Sequence, residues 1–97
     1  MGEDAMLRLD ELLPSPEASP EAAYMHSVLV EEFDAALTDL PAAQQFVFIA
    51  HELEGRSFKQ LAEETGLSVN TLLSRKHYAV RYLRERLQPI YAEFGEM

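Results

Sequence analysis

The chain has 97 residues, of which 47% are hydrophobic and 26% charged, with a formal net charge of −9 at pH 7. This length predicts one small domain, and the composition is that of a globular protein. The chain has no cysteine, which excludes a disulfide framework and a thiolate zinc site. Its apolar runs are too short to cross a bilayer and its acidic N-terminus is unlike a signal peptide, so we expect a cytoplasmic protein.

The acidic charge is concentrated in the first part of the chain. Residues 1–40 hold ten Asp and Glu and one basic residue, Arg8, whereas residues 41–97 hold seven acidic and seven basic residues. Five of the eight lysines and arginines lie between Arg75 and Arg86. A local basic helix can contact phosphate while an acidic segment lies elsewhere. The alternative is that this helix merely has a solvated basic face.

Residues 1–19 are predicted to form an acidic, proline-rich arm. A short helix is expected within residues 1–13, and the segment "PSPEASP" (14–20) is typical of a linker. Ser19 and Pro20 then form a helix start, with a hydroxyl cap and a proline in the first turn. The first main helix follows, because apolar residues recur every three or four positions at Met25, Leu29, Phe33, Leu37 and Leu40.

A second helix is predicted to start at Pro41. Its segment "FVFIA" (46–50) alone could be a buried strand, since periodicity does not decide such a short run. The helix-forming residues on both sides favour a helix, and Gly55 fits its C-terminal cap.

The third and fourth helices are predicted from their caps. Ser57 and Gln60 have the spacing of a capping box, and Gly66 permits a left-handed turn after the third helix. Ser68 caps a fourth helix that runs to Leu87 and is limited by Pro89, and residues 90–94 add a last turn. We therefore predict an all-α fold without strands, in which residues 20–94 form a four-helix domain.

Helix, glycine turn and helix over residues 57–87 are the frame of a helix-turn-helix. Ala62 is small where the two helices cross, and Leu67 and Leu72 fill their shared core. The three-helical core expected here resembles that of homeodomains and winged helices, without a wing. Any αα-hairpin can mimic this pattern, but it favours DNA binding.

The fourth helix has two opposite faces when each residue advances about 100°. Its apolar arc comprises Val69, Leu72, Ala79, Val80, Leu83 and Leu87, and the other face holds Asn70, Ser74, His77, Arg81 and Gln88. Asn70, Ser74 and His77 are placed to read base edges, and Arg75, Arg81 and the helix N-terminus to hold phosphates. Lys76 falls within the apolar arc, so we expect a packed stem, an ammonium that reaches solvent, and more burial than for the other bases.

Residues 36–87 resemble region 4 of the extracytoplasmic-function sigma factors of bacterial RNA polymerase. The resemblance is ungapped over about half of the chain and rests on motifs such as "SVNTLLSR" (68–75) and "LRERL" (83–87). It also includes four residue pairs and one glycine earlier in the segment: Ala36-Leu37, Leu40-Pro41, Glu54-Gly55, Leu61-Ala62 and Gly66. Residues 14–35 look like the linker and first helix that precede this region.

The resemblance implies recognition of the −35 promoter element in the major groove of double-stranded DNA. It also implies docking on the flap of the polymerase β subunit, capture by an anti-sigma factor and a cytoplasmic location. By motif position, the resemblance implies that the DNA-facing residues are Asn70, Thr71, Ser74, Arg75 and His77, with backbone contacts near Arg56, Ser57 and Lys59. We also expect Ser68, at the helix N-terminus, to contact DNA. Nothing in the chain resembles region 2, so we expect a fragment that does not initiate transcription alone.

The chain departs from the family pattern at four positions on the fourth helix. Leu73, Tyr78 and Val80 stand where basic residues are common, and Lys76 stands where leucine is common. Fewer phosphate contacts predict weaker and less salt-sensitive DNA binding. We expect Leu73, Tyr78 and Tyr82 to be exposed, either without a role or as a patch for protein docking.

No pattern for catalysis, a cofactor or a metal stands out. His26 and His51 lie on or beside apolar faces and are expected to pack there. Glu63 and Glu64 are adjacent on a helix, so their carboxylates diverge. We expect a protein that is not an enzyme and is monomeric alone. The alternatives are a protein-interaction module with little DNA binding and a dimeric helix-turn-helix regulator that protects two half-sites.

Overall fold

The first helix begins at the predicted cap. In the computed structural model, which describes residues 19–95, helix α1 spans Pro20–Asp39. The backbone N–H of Ala22 donates to Ser19 Oγ at 3.1 Å, so the hydroxyl satisfies an amide that the helix leaves free. The helix predicted within residues 1–13 and the linker after it lie outside the described residues, and the domain limits stay a prediction.

The second helix changes its hydrogen-bond pattern along its length. Helix α2 spans Ala42–Phe48 and continues as a π-helical segment, Ile49–Leu53. The helix predicted for residues 46–50 is thus confirmed, although the π-helical turn was not foreseen and Pro41 lies just before the helix. Gly55 follows the segment with φ +73°, a left-handed conformation that glycine adopts without steric cost.

Helix α3 spans Phe58–Thr65 and helix α4 spans Val69–Gly95. The backbone N–H of Gln60 donates to Ser57 Oγ at 3.0 Å, whereas the Gln60 side chain donates to Glu64 and not back to the cap. Only the serine half of the predicted capping box is therefore seen at this helix start. Gly66 makes the turn between α3 and α4 with φ +76°.

The prediction that Pro89 limits the fourth helix is wrong. Helix α4 continues through Pro89 to Gly95, although an internal proline costs about 3 kcal/mol. Ile90 and Tyr91 pack against the core, and the Phe94 ring lies 5.8 Å from that of Tyr24 on α1. The gain from covering the N-terminal half of α1 outweighs the lost backbone hydrogen bond.

Two hydrophobic clusters hold the helices together. The first joins α1, the end of α2 and α4 through Leu29, Phe33, Ala36, Leu40, Phe48, Ala79, Val80, Leu83 and Leu87. The second joins the helix-turn-helix to the second helix and contains Val47, Ala50, Leu61 and Leu72, with Ala62 and Leu67 packed against it. All regular structure within residues 19–95 is helical, which confirms the all-α fold with a helix-turn-helix formed by α3 and α4.

Candidate nucleic-acid interface

The first half of α4 presents a polar face to solvent. Asn70, Ser74 and Arg81 are exposed and His77 is half-buried, and helical geometry places the four within an arc of about 60°. The opposite side is closed by core residues such as Leu72 and Leu83. The helix therefore has one side free for a ligand that fits a convex helical surface.

Val69 departs from the predicted apolar arc. Its side chain is 43% exposed, because Val69 is the first residue of α4 and precedes the part of the helix that crosses the core. The remaining five residues of the predicted arc are buried.

Two hydroxyl groups organise the start of α4. The backbone N–H of Thr71 donates to Ser68 Oγ at 3.1 Å, and the Ser68 hydroxyl donates to Thr71 Oγ1 at 3.0 Å. Ser68 thus caps the helix as predicted. The Thr71 hydroxyl accepts this bond and keeps its own proton for another acceptor, such as a phosphate oxygen.

Two basic residues on α4 are free of internal partners. Arg81 is exposed and Arg75 is half-buried, and neither makes an ion pair within residues 19–95. Arg75 lies about 140° around the helix from Asn70, at the side of the polar face. These two guanidinium groups are therefore free to bind an anion beside that face.

Other bases of the cluster between Arg75 and Arg86 are used inside the protein. Arg86 Nε donates to Glu32 at 2.7 Å, and its Nη1 donates to Asp39 at 2.9 Å and to the Tyr82 hydroxyl at 2.6 Å. These hydrogen bonds raise the pKa of Arg86, and they tie α4 to α1. Arg86 serves as a link between helices and not as part of a basic surface.

Lys76 is the buried polar residue of the core. Its side chain is 2% exposed, so the expectation that it is more buried than the other bases is confirmed. The expectation that its ammonium reaches solvent is wrong. Nζ lies 2.6 Å from His51 Nδ1 and 2.7 Å from Glu52 Oε1, because the π-helical segment brings both residues to the apolar side of α4.

His51 accepts the bond from Lys76 in its neutral form. An ammonium has only donors, so Nδ1 is the acceptor and the ring proton resides on Nε2. Burial lowers the pKa of His51 from its ordinary value of 6.5, and the Lys76 ammonium lowers it further, while Glu52 opposes the shift. The ring stacks on Phe58, with centroids 4.0 Å apart, which agrees with the packing role expected for His51.

The start of α3 carries the remaining predicted contacts. Lys59 is exposed, and Ser57 caps the helix. Arg56 forms an ion pair with Glu54 at 3.2 Å and another with Glu64. Two carboxylates thus compete with any phosphate for Arg56, which the sequence did not show.

The aromatic and apolar residues singled out on α4 differ in exposure. Leu73 and Tyr82 are packed against the first cluster, contrary to expectation, whereas Tyr78 is 47% exposed. Packing against that cluster covers the first two.

An apolar patch that sequence reasoning missed lies on the second helix. Phe46 is 44% and Leu53 48% exposed, and Ile49 lies between them. Phe46 and Ile49 line a cleft of about 250 Å³ whose rim includes Glu54 and Arg56. The spacing of residues 46, 49 and 53 was a usable signal, because all three fall on one side of a helix, opposite the buried Val47.

Within residues 19–95, no three His, Asp or Glu side chains are grouped so that they could hold a metal ion. None of the helices in the same range is long and apolar enough to cross a membrane.

Comparisons with known proteins agree with the helix-turn-helix. The family model described as "Sigma-70, region 4" matches residues 30–83. A curated relative, the ECF RNA polymerase sigma factor SigE of Mycolicibacterium smegmatis, is 29% identical over 75 residues. The aligned part is 77% of this chain and 29% of the relative, so the chain spans less than a third of that protein's length.

No solved structure matches this chain. The family match nonetheless covers more than half of the 97 residues, and it includes both helices of the helix-turn-helix apart from the end of α4. The chain therefore belongs to the region 4 family of sigma-70 factors.

Proposed function

We propose that this domain recognises the −35 element of promoters as part of an alternative sigma factor of RNA polymerase. In this role α4 enters the major groove, while α2 and α3 brace it. The observation that carries the proposal is the exposed polar face of α4 at Asn70, Ser74 and Arg81, directly after the turn of the helix-turn-helix. A recognition helix places its N-terminal residues against base edges.

The proposed contacts divide into two groups. Asn70, Ser74 and His77 read bases, while Arg75 at the side of the polar face and Arg81 further along it hold phosphates. Lys59, Ser57 and the amide groups at the start of α3 contact the backbone at a second place. Ser68 and Thr71 contribute at the N-terminus of α4, where free amides favour an anion.

The charge distribution supports this role despite the net charge of −9. Arg86 offsets part of the negative charge of Glu32 and Asp39 on α1, and Lys76 is paired inside the core. The free bases Arg75 and Arg81 lie near the polar face, whereas much of the acidic charge belongs to residues 1–40. We propose that the domain binds DNA with a moderate, salt-sensitive affinity. We also propose that it acts in the cytoplasm and without catalysis.

The Asn70→Ala variant tests base reading. An asparagine that bonds an adenine edge contributes about 1–3 kcal/mol of discrimination, so we expect relaxed base preference with a smaller change in affinity for unrelated DNA. The measurement is the affinity for a selected duplex and for each single-base variant of it.

Gln88→Ala is the matched control for Asn70→Ala. Gln88 lies on the same side of α4 but about 27 Å further along the axis, beyond the width of a major groove. An equal loss of affinity on every duplex for Asn70→Ala would contradict its role in reading bases.

A second function is favoured by the apolar patch on the second helix. We propose that Phe46, Ile49 and Leu53 dock a hydrophobic segment of RNA polymerase, for which the β flap is the candidate that the family resemblance implies. The exposure of Phe46 and Leu53, and the cleft that Phe46 and Ile49 line, support this role, since exposed apolar patches mark interaction surfaces. The domain would then bind DNA and polymerase through different faces, as a monomer.

The Phe46→Glu variant tests the docking surface. A buried carboxylate in an apolar contact is costly, so we expect at least a tenfold loss of affinity for the isolated β flap, which corresponds to about 1.4 kcal/mol. DNA binding should be unchanged. Tyr24→Glu, at an exposed aromatic on α1, is the control, and equal effects of the two variants would exclude the patch.

A further inference from the structure

Lys76 differs from the other basic residues of α4 because its charged side chain is buried in the core. It therefore contacts neither solvent nor the proposed DNA surface. It is 2% exposed and lies among Leu72, Ala79, Val80 and Leu83, which are fully buried. A buried ion pair is often no more stabilising than apolar residues of similar volume. Stability alone therefore does not account for a lysine at this position.

The partners of Lys76 fix the rotation of α4 about its axis. His51 Nδ1 at 2.6 Å and Glu52 Oε1 at 2.7 Å both come from the π-helical segment of the second helix. Charge-assisted hydrogen bonds are short and directional. Residues 74, 75 and 77 flank this anchor, so its geometry sets how Ser74 and His77 point toward a groove.

The anchor depends on the protonation of His51. A protonated imidazole has no acceptor, and it would place a second positive charge beside the ammonium. The charged groups that face the ring are Glu52 on its own segment and Lys76 on α4, while α3 contributes the uncharged ring of Phe58. Uptake of a proton by His51 would thus break one of the two bonds that hold Lys76.

We propose that Lys76 is a positioning residue for the recognition helix and that its hold requires neutral His51, which makes DNA recognition sensitive to acid. This inference rests on the proposed function of α4. The sign follows from the environment of His51, whose pKa lies below 6.5 in the folded protein. Folding and positioning are fully maintained above about pH 7 and weaken as the pH falls below the unfolded value of about 6.5.

The test uses a His77→Gln background. His77 is the histidine on α4 and is proposed to read bases, so its replacement leaves His51 as the histidine nearest the interface, and the duplex is selected with the His77→Gln protein. His26 lies on α1 and is common to all variants. Affinity for one selected duplex is measured at about pH 7.5 and about pH 5.5, which span the histidine range, with circular dichroism to check folding.

Three proteins are compared in this background. The His77→Gln parent is expected to lose affinity several-fold, up to about tenfold for one unit of pKa difference, at the lower pH. Addition of His51→Asn should remove most of this loss, because its amide oxygen replaces Nδ1 as acceptor at both pH values. Addition of Lys76→Met should also flatten the profile, with relaxed base preference at both pH values.

A DNA-free readout separates this inference from the proposed function. The Lys76→Met change should raise the pKa of His51 in a histidine NMR titration, because it removes the neighbouring cation. A pH effect that persists unchanged with His51→Asn, or a His51 titration that does not shift with Lys76→Met, would overturn the positioning role alone. A wild-type domain that binds no duplex at pH 7.5 would overturn the proposed function and this inference with it.

Discussion

Replacing Phe48 with alanine is expected to lower the free energy of unfolding by about 3–5 kcal/mol. Phe48 is fully buried, and its ring lies 6.0 Å from the ring of Phe33, tilted by 56°. It is the last residue of α2 and fills the space between α1 and α4. A domain of this size has a total stability of only about 5–15 kcal/mol, so a large part of it would be lost.

Phe46→Ala is the matched control for Phe48→Ala. The two phenylalanines lie two residues apart on the same helix, yet Phe46 is 44% exposed. We expect its replacement to cost less than about 1 kcal/mol, measured for both variants by urea denaturation. Similar losses for the two variants would contradict the orientation of α2 and hence the docking patch on its outer side.

The double replacement of Arg75 and Arg81 by glutamine is expected to weaken binding to every DNA sequence. Each phosphate contact contributes a slope of about 0.9 in a plot of log affinity against log salt concentration. We therefore expect the slope to fall by about two and the affinity in about 0.1 M salt to fall roughly 10- to 100-fold. Base preference should remain, since neither arginine is proposed to read bases.

Arg86→Gln is the control that distinguishes specific phosphate contacts from a general effect of positive charge on α4. Arg86 lies in the same helix and carries the same charge, but Glu32 and Asp39 hold it against α1. Its replacement should leave the salt slope unchanged and reduce stability slightly. A salt slope that falls equally for Arg86→Gln would show that the overall charge of α4, and not two specific contacts, governs binding.

The features that the sequence predicted best depend on neighbouring residues. The caps at Ser19, Ser57 and Ser68 and the glycine turn at Gly66 each involve partners within three or four positions. The apolar periodicity of α1 and α4 likewise identified most of the core, because a helix repeats over a few residues. Local chemistry of this kind is read directly from the chain.

The features that the sequence missed depend on distant partners. Arg86 pairs with Glu32 54 positions away, and Lys76 pairs with His51 25 positions away. A sequence pattern gives no measure of such contacts, so both bases were counted as part of the basic cluster. The structure leaves Arg81 on the polar face of α4 and Arg75 beside it as bases without an ion pair within residues 19–95.

Tertiary contacts override local sequence preferences at two places. One is the continuation of α4 through Pro89, and the other is the π-helical turn of the second helix. Proline argues for a helix end, but Ile90 and Tyr91 gain a core contact by remaining helical. The segment Ile49–Leu53 consists of residues that also suit an α-helix. The wider π-helical turn is the segment from which His51 and Glu52 contact Lys76. These contacts form only in the folded domain.

Selection from a pool of random duplexes tests the central claim most directly. The isolated domain is mixed with the pool at two salt concentrations, and the bound DNA is sequenced. We expect enrichment of one short motif at low salt, weaker enrichment at high salt, and loss of the motif in Asn70→Ala. Absence of any enriched motif at low salt, together with retained binding to the β flap, would contradict DNA recognition by α4 and leave polymerase docking as the function of the domain.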